Sequence, residues 1–364
     1  MADRTRIGWT DATWNPVVGC SVVSPGCTNC YAMKMAARLQ KMNLTGGSGT
    51  AYVNHYDGTT AETKGGPVWT GKVAVARDEL FLKPLGWKRP RRIFVNSMGD
   101  LFHESVPNAW IDRVFAVMAL APQHTFQVLT KRSKRMREYL TERNGMGDAA
   151  LCRAINEIPF GLGNRHGALE IPLPNVWLGV SAEDQRRADE RIPDLLATPA
   201  AARFVSAEPL LGPIDFAPPA DATYQRLSEW YGPNGFDETG SQPRATRMAG
   251  WFPRLDWIIV GGESGPSARP MHPDWARAIR DQCAAAGVPF FFKQWGEWKP
   301  LDQITEKTIE GAGAHGVIAR DGHFVKDTDL ADPPDKMFTF RVGKRRAGRL
   351  LDGIEHNAFP EARQ

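Results

Sequence analysis

The stretch Asn15-Pro-Val-Val-Gly-Cys-Ser-Val-Val-Ser-Pro-Gly-Cys-Thr-Asn-Cys-Tyr31 places three cysteines, Cys20, Cys27 and Cys30, close together. Their spacing is C-x6-C-x2-C, and no fourth cysteine lies nearby in the sequence. Structural zinc usually takes four protein ligands, whereas a catalytic metal centre keeps one position open. Thiolates are also the usual ligands of iron–sulfur clusters. A [4Fe–4S] cluster on three cysteines would keep one iron open for a substrate or a cofactor, and this is our leading interpretation.

Two other interpretations of the three cysteines stay open at this stage. They could form part of a zinc site that borrows a distant histidine or aspartate. They could also form one disulfide and leave a single thiol, although nothing else in the sequence is typical of a secreted protein. Cys152 and Cys283 are isolated in the sequence, and Cys283 is predicted to be a small buried residue near a helix end.

Length and composition indicate a globular protein with a large core. The chain has 364 residues, 42% of them hydrophobic, which allows two domains or one α/β barrel with insertions. The formal net charge of +4 is too small to indicate nucleic-acid binding by itself. No apolar run approaches the ~20 residues of a membrane span, and the N-terminus lacks a signal-peptide core. We therefore expect a cytoplasmic protein without a membrane partner.

Short apolar runs alternate with helical patterns, which is the signature of βαβ units and a parallel sheet. The predicted strands are residues 16–18, 92–96, 126–130, 176–180, 203–206, 257–260 and 289–292. The predicted helices are residues 32–41, 107–121, 133–142, 183–196 and 273–286. The sequence therefore predicts an α/β fold that forms a partial or near-complete (β/α) barrel.

Three stretches interrupt this alternation. The predicted barrel covers residues 1–296, and its long insertions are residues 44–72, 144–173 and 214–253. Long loops in a compact domain usually bind ligands or cover a site. Residues 297–364 are predicted to form a small C-terminal α/β appendage.

Polar side chains follow directly after the predicted strands. Chemistry in parallel α/β barrels collects at the carboxyl ends of the strands, so these side chains are expected to meet in one polar site. The segments are residues 96–104, 130–132, 181–184, 206–209, 261–265 and 293–298. The candidate catalytic groups among them are Glu208, Glu263 and Lys293. Any one of these polar residues could instead be a turn former or a helix N-cap, and the segment that begins at Ser181 resembles a helix start.

The glycines and the histidine in these segments also have structural interpretations. The glycines of residues 261–265 match neither a P-loop nor a dinucleotide fingerprint, and we expect them to let the backbone approach a ligand closely. His103 is an isolated loop histidine, for which a structural use is expected more often than a catalytic one.

In its cysteine motif, its strand pattern and the polar segments after its strands, the chain resembles the radical S-adenosylmethionine (SAM) superfamily. Within that superfamily it resembles the spore-photoproduct-lyase-like branch. That branch shows an Asn-Pro-x-x-Gly-Cys run that ends in Cys-x-x-Cys-Tyr, and residues 15–20 and 27–31 match it. The likeness continues at residues 97–100, at Thr130-Lys131 and at Ser181. Along its whole length the chain resembles an uncharacterised phage-associated family of three-cysteine proteins.

The resemblance implies a barrel of the radical SAM type with two cofactors. A [4Fe–4S] cluster would be held by Cys20, Cys27 and Cys30, and SAM would bind its open iron. The SAM-binding residues implied are Tyr31, Ser97, Asp100, Lys131, Ser181 and Glu183. Lys131 would pair with the SAM carboxylate, and Ser181 would contact the amino acid or ribose part. Tyr31 would pack near the cluster or the adenine. An electron donor such as a flavodoxin or a ferredoxin would be a partner.

Two departures from the pattern restrict the reaction. The usual superfamily spacing is C-x3-C-x2-C, so this chain has a longer first interval. The lyase branch also places a hydrogen-donor cysteine after the second strand, where this chain has Asn96 and Ser97. Direct reversal of a thymine photoproduct by that mechanism is therefore disfavoured.

Two functions from different classes follow. The first is a radical SAM enzyme, of lyase or modification type, that acts on a nucleic acid or a nucleotide-derived substrate, for instance in DNA modification or repair. The second is a non-catalytic, zinc-stabilised nucleic-acid-binding or phage accessory protein. Basic clusters such as residues 88–92 and tryptophan-rich insertions are compatible with a nucleic-acid partner in either case.

Overall fold

The computed structural model describes residues 5, 7–44, 54–159, 163, 170–216, 251–309, 312–326 and 336–361, and the statements below concern these residues. The strands are β1 (Ala12–Trp14), β2 (Val17–Val18), β3 (Thr60–Thr63), β4 (Gly66–Trp69), β5 (Ala74–Val75), β6 (Arg92–Val95), β7 (Thr125–Thr130), β8 (Gly145–Met146), β9 (Glu170–Ile171), β10 (Val176–Ser181), β11 (Ala202–Ala207), β12 (Trp257–Gly261), β13 (Phe290–Gln294), β14 (Trp298–Pro300), β15 (Ala314–Ala319), β16 (Phe324–Lys326) and β17 (Lys336–Arg341).

The α-helices are α1 (Tyr31–Leu44), α2 (Asp78–Phe81), α3 (Asn108–Ala119), α4 (Ser133–Glu142), α5 (Ala149–Glu157), α6 (Gln185–Ala197), α7 (Pro273–Ala286), α8 (Glu306–Ile309) and α9 (Lys344–Ala347). The 3-10 helices are Pro25–Cys27, Asn54–Tyr56, Lys83–Gly86, Phe252–Arg254 and Leu301–Gln303. A helix long and apolar enough to cross a bilayer is absent from the described part of the chain.

The central sheet has the strand order β1-β6-β7-β10-β11-β12-β13. The pairs β1–β6, β6–β7, β7–β10, β10–β11 and β12–β13 are parallel. The strands follow chain order, and α3, α4 and α6 each connect one strand to its parallel neighbour, as in βαβ units. The predicted α/β class is therefore confirmed, and the parallel sheet is compatible with a partial (β/α) barrel.

The chain divides into two compact units. The first comprises Met1–Ala182 and Pro193–Ser206, and the second comprises Glu183–Ile192 and Ala207–Gln364. The second unit contains an antiparallel sheet of order β14-β17-β15-β16, which lies in the stretch predicted to be the C-terminal appendage. The domain boundary after residue 296 stays a prediction.

One predicted strand is wrong. Residues 17–18 do not join the central sheet but pair antiparallel with β5, and the first sheet strand lies upstream, at Ala12–Trp14. Trp14 is fully buried, and its Nε1 donates to the carbonyls of Leu80 and Phe81 at 3.2 and 3.1 Å. A three-residue apolar run cannot show which strand it will pair with, because that choice depends on distant residues.

The predicted insertions contain regular structure where they are described. Residues 54–72 form a 3-10 helix and the β3–β4 hairpin, and residues 144–173 contain α5. Residues 45–53, 160–162, 164–169 and 217–250 of these insertions lie outside the described residues.

Candidate functional site

The three cysteines lie in one loop of the first unit, between β2 and α1, and all three are free thiols. Within this loop Cys27 N donates to the Ser24 carbonyl at 2.9 Å, and Cys30 N donates to the Cys27 carbonyl at 3.2 Å. Cys20 and Cys30 both pack against one apolar cluster, formed by Val18, Met33, Ala36, Tyr56, Trp69 and Met98. Local turns and this shared apolar cluster thus bring the ends of the loop together.

The environment of the loop keeps two of the thiols protonated in the absence of a metal. Burial raises the pKa of the Cys20 thiol to about 12, and the Asp100 carboxylate adds to that rise. Burial also raises the pKa of Cys30, although the backbone N–H of Met33 acts against it. A negative charge on Cys27 contributes to the rise of the pKa of both thiols, so the cysteines interact electrostatically. Metal binding would therefore have to release protons from this loop.

Gly19 determines how the chain enters the cysteine loop. Its φ is 94°, and a Cβ at this position would lie 2.1 Å from the carbonyl oxygen of Lys72. Gly19 N also donates to the Met98 carbonyl at 3.2 Å, and Gly19 forms a parallel bridge with Gly99. A residue with a side chain would be strained and would clash here. Sterics therefore explain why glycine precedes Cys20 in the motif: the backbone of Gly19 lies against both Lys72 and the loop of Met98 and Gly99.

Asn15 of the Asn-Pro pair fixes the loop that follows β6. Its Oδ1 accepts hydrogen bonds from Ser97 Oγ at 3.1 Å and from Met98 N at 3.0 Å. Ser97, a predicted cofactor-binding residue, is therefore hydrogen-bonded to the cysteine motif itself.

A buried ion pair joins the loop after β6 to the end of β7. Arg132 Nη1 lies 3.0 Å from Asp100 Oδ2, with the two side chains only 5% and 7% exposed. Asp100 also accepts from Thr130 Oγ1 at 2.7 Å, from Lys131 N at 3.1 Å and from Phe102 N at 3.0 Å. Asp100 was predicted to bind the cofactor, and the structure shows that it holds the end of strand β7 in place.

The same guanidinium reaches the cysteine loop. Arg132 Nη1 donates to Cys20 Sγ at 3.4 Å, and Nη2 donates to Ser21 Oγ at 2.7 Å and to the Ser21 carbonyl at 3.3 Å. His103 Nδ1 accepts from Ser105 N at 3.1 Å, so its Nε2 is the donor to Ser21 Oγ at 3.0 Å. Arg132 was not among the predicted site residues. Its position directly after Lys131 is the signal in the sequence, because charged residues that follow the predicted strands are expected to meet in one polar site.

Two predicted SAM-binding residues of the first unit meet directly. Lys131 Nζ donates to Ser181 Oγ at 2.9 Å. β7 and β10 are adjacent and parallel, with Thr130 opposite Val180, so both residues leave the sheet at the same level. Tyr31 begins α1 beside Cys30, and it is 68% exposed.

The candidate catalytic residues lie in the second unit. Lys293 Nζ donates to Glu208 Oε2 at 2.7 Å, and Gln294 Nε2 donates to Glu208 Oε1 at 3.2 Å. Glu263 is bound by Arg269, whose Nε and Nη2 lie 2.9 and 2.6 Å from its two oxygens. Glu208 and Lys293 are thus brought together, whereas Glu263 is held by a neighbour in its own loop.

The segment after β10 contains the N-cap of helix α6 and one member of a buried ion pair. Asp184 Oδ1 accepts from Arg187 N at 2.9 Å and caps α6, so the helix begins at Gln185, two residues after the predicted start at residue 183, and Ser181 is the last residue of β10. Glu183 was predicted to bind the cofactor. It is fully buried in the second unit, 3.1 Å from Nη1 of the buried Arg191.

The glycines after β12 approach protein backbone. A Cβ on Gly262 would lie 2.0 Å from the Trp295 carbonyl oxygen, and a Cβ on Gly296 would lie 2.0 Å from the Glu263 carbonyl oxygen. Gly262 N also donates to the Gln294 carbonyl at 2.8 Å. These glycines thus lie against the protein backbone of the same unit, and their predicted approach to a ligand stays a prediction.

The donor set of the cysteine loop fits an iron–sulfur cluster. Three free thiols share one loop, and the cation of Arg132 faces one of them, which suits a group of net negative charge. In the part of the chain that the structure describes, no His, Cys, Asp or Glu side chains surround a single metal position. Cysteines of a four-iron cluster each bind a different iron and do not converge on one point, so this absence does not bear on a cluster.

Comparison with known proteins gives one family. A family model described as "Protein of unknown function (DUF5131)" matches residues 4–360. No curated protein and no solved structure matches the chain significantly.

Proposed function

We propose that this chain, which belongs to the DUF5131 family, is a radical SAM enzyme. The observation that carries the proposal is the three-thiol loop beside Arg132, in the same compact unit as the paired Lys131 and Ser181.

The three cysteines of the first unit would bind the cluster in this proposal. Cys20, Cys27 and Cys30 would hold a [4Fe–4S] cluster, and the iron without a cysteine would take the amino and carboxylate groups of SAM. When bound and reduced, the cluster supplies the electron that cleaves SAM to a 5′-deoxyadenosyl radical. The protein's contribution is to position this pair.

Lys131 and Ser181 are suited to bind the polar end of SAM. Ser181 Oγ fixes the ammonium group of Lys131 at 2.9 Å, and Asp100 fixes the backbone N–H of Lys131 at 3.1 Å. A lysine held at both ends loses little further conformational freedom when it pairs with a carboxylate. The hydroxyl of Ser181 can in turn accept or donate a hydrogen bond to the amino acid or the ribose.

The substrate class we propose is a nucleic acid or a nucleotide-derived molecule, to be modified or repaired. The resemblance to the spore-photoproduct-lyase-like branch supports this class, and so do the exposed basic side chains of Lys88 and Arg89. Where that branch has a hydrogen-donor cysteine, Ser97 donates its hydroxyl to Asn15, so a different hydrogen donor or a different reaction is expected.

Metal content and SAM cleavage test the proposal. We expect anaerobically purified and reconstituted protein to be brown, with about four iron and four sulfide per chain as a [4Fe–4S] cluster requires. With dithionite and SAM it should release 5′-deoxyadenosine, and DNA, RNA or nucleosides can then be compared as stimulators. Colourless protein with one zinc per chain would contradict the proposal and support the non-catalytic function.

Replacing Lys131 with alanine is expected to weaken SAM binding tenfold or more without loss of iron. The reason is that a charged hydrogen bond to a carboxylate contributes about 1.5–3 kcal/mol, and tenfold in affinity corresponds to about 1.4 kcal/mol. Calorimetry on cluster-loaded protein measures the change. Lys134→Ala is the matched control, because that side chain is 75% exposed. Equal affinities for the wild-type and Lys131→Ala proteins would remove Lys131 from the site.

A further inference from the structure

The charges around Cys20 are arranged differently from those around the other two cysteines. Cys20 Sγ accepts a hydrogen bond from the guanidinium of Arg132 at 3.4 Å. The hydrogen-bonding groups described at the other two sulfurs are neutral. The Ser24 hydroxyl lies 3.8 Å from Cys27 Sγ, and Cys30 interacts with the backbone N–H groups of Met33 and Ala32 and with the side chain of Trp69. The positive charge at this loop is therefore concentrated on one of the three sulfurs.

Arg132 is a permanent cation in this position. A guanidinium stays protonated in proteins, and the Asp100 carboxylate at 3.0 Å and the Glu104 carboxylate at 3.3 Å supply its counter-charges. Five hydrogen bonds, to Cys20, Ser21 (two), Asp100 and Glu104, fix the guanidinium, which is 5% exposed. It cannot follow a change of charge by moving, so its field acts on the loop constantly.

A fixed cation against a ligand sulfur has a defined consequence for a redox cluster. An oxidised [4Fe–4S] core carries a charge of 2+, so with three thiolates the whole has a net charge of −1, and reduction by one electron makes it −2. Cluster reduction potentials depend on net charge and on hydrogen bonds to the sulfurs. A nearby cation stabilises the more negative, reduced form and raises the potential, whereas a nearby anion lowers it.

We propose that Arg132 is a positioning residue that sets the reduction potential of the cluster through Cys20, with Asp100 as the opposing charge. This assignment rests on the proposed function. Arg132 raises the potential, and Asp100, which is 3.0 Å from Arg132, limits that rise. The pair thereby makes the cluster reducible while it also ties the cysteine loop to the end of β7.

Redox titration of the cluster-loaded protein without SAM, followed by electron paramagnetic resonance, tests the assignment. Arg132→Gln keeps a hydrogen-bond donor but removes the charge, and its midpoint potential should become more negative. Asp100→Asn removes the anion, and its potential should become less negative. For Arg132→Gln we expect at least a tenfold change in the reduction equilibrium, which is 59 mV for a one-electron couple. Arg132→Lys keeps the charge, and its midpoint potential should lie between those of the Arg132→Gln and wild-type proteins.

Arg92→Gln is the matched control, since it removes the same charge from a half-exposed pair with Asp11 at the other end of β6. Its potential should equal that of the wild type. A loaded Arg132→Gln protein with the wild-type potential overturns the assignment. If the Arg132→Gln protein does not hold a cluster, the midpoint potential of the Asp100→Asn protein tests the assignment instead. A potential equal to or more negative than that of the wild type overturns the assignment. Wild-type protein that takes up no iron would instead overturn the proposed function itself, so the two failures are distinguishable.

Discussion

Cys27→Ala is expected to abolish both the iron–sulfur absorbance and the release of 5′-deoxyadenosine. A cluster with an open iron uses each of its three thiolates on a different iron, so the loss of one sulfur leaves two irons without a protein ligand. Cys27 is 8% exposed and lies in the tightly turned part of the loop, where no other described cysteine can replace it. Cys20→Ala and Cys30→Ala should have the same effect. Iron and sulfide content, visible absorbance and product chromatography measure the outcome.

The isolated cysteines supply matched controls for this experiment. Cys283 is fully buried on α7, and Cys152 is half-buried on α5, so neither lies in the cysteine loop. Cys283→Ala and Cys152→Ala should keep wild-type iron content and product release. Full iron retention in the Cys27→Ala protein would show that the loop does not hold the cluster, and the functional proposal would then fail.

Asp112→Ala is expected to destabilise the first unit by about 3–5 kcal/mol. Asp112 on α3 accepts from Arg143 Nε at 2.6 Å and from Tyr139 Oη at 2.7 Å, and the charged side chains are 9% and 6% exposed. Arg143 also stacks on the Tyr139 ring, with 4.0 Å between its Cζ and the ring centroid. Removal of the carboxylate leaves the buried guanidinium with only the exposed carboxylate of Glu142, 3.3 Å from its Nη1, as a counter-charge, and this poorly compensated buried charge is the source of the loss. Urea unfolding followed by circular dichroism measures the change.

Two controls separate this effect from a loss of packing. The double variant Asp112→Ala, Arg143→Met removes both charges, and it should lose less stability than the single variant Asp112→Ala. Glu190→Ala breaks pairs with Arg186 and Arg187 on the exposed side of α6 and should change the free energy of unfolding by less than about 1 kcal/mol. A change below 1 kcal/mol for Asp112→Ala would mean that this pair does not hold α3 and α4 together.

The sequence by itself determined the fold class and most of the elements. The helices predicted at residues 107–121, 133–142 and 273–286 are found as Asn108–Ala119, Ser133–Glu142 and Pro273–Ala286. These stretches show local periodicity, and local periodicity is what selects a helix or a strand. The sequence also indicated that Lys131 and Ser181 would lie close together, because the carboxyl ends of parallel strands lie at one edge of a sheet.

The contacts of charged side chains were decided by the tertiary structure alone. Arg132 reaches Cys20 and Asp100, which are distant in sequence, and nothing in its own neighbourhood of the chain specifies either contact. The same holds for residues 17–18, which pair with β5 instead of entering the central sheet. Local patterns select the elements. Buried charges and close backbone contacts depend on which segments meet, and that is fixed only when the whole chain packs.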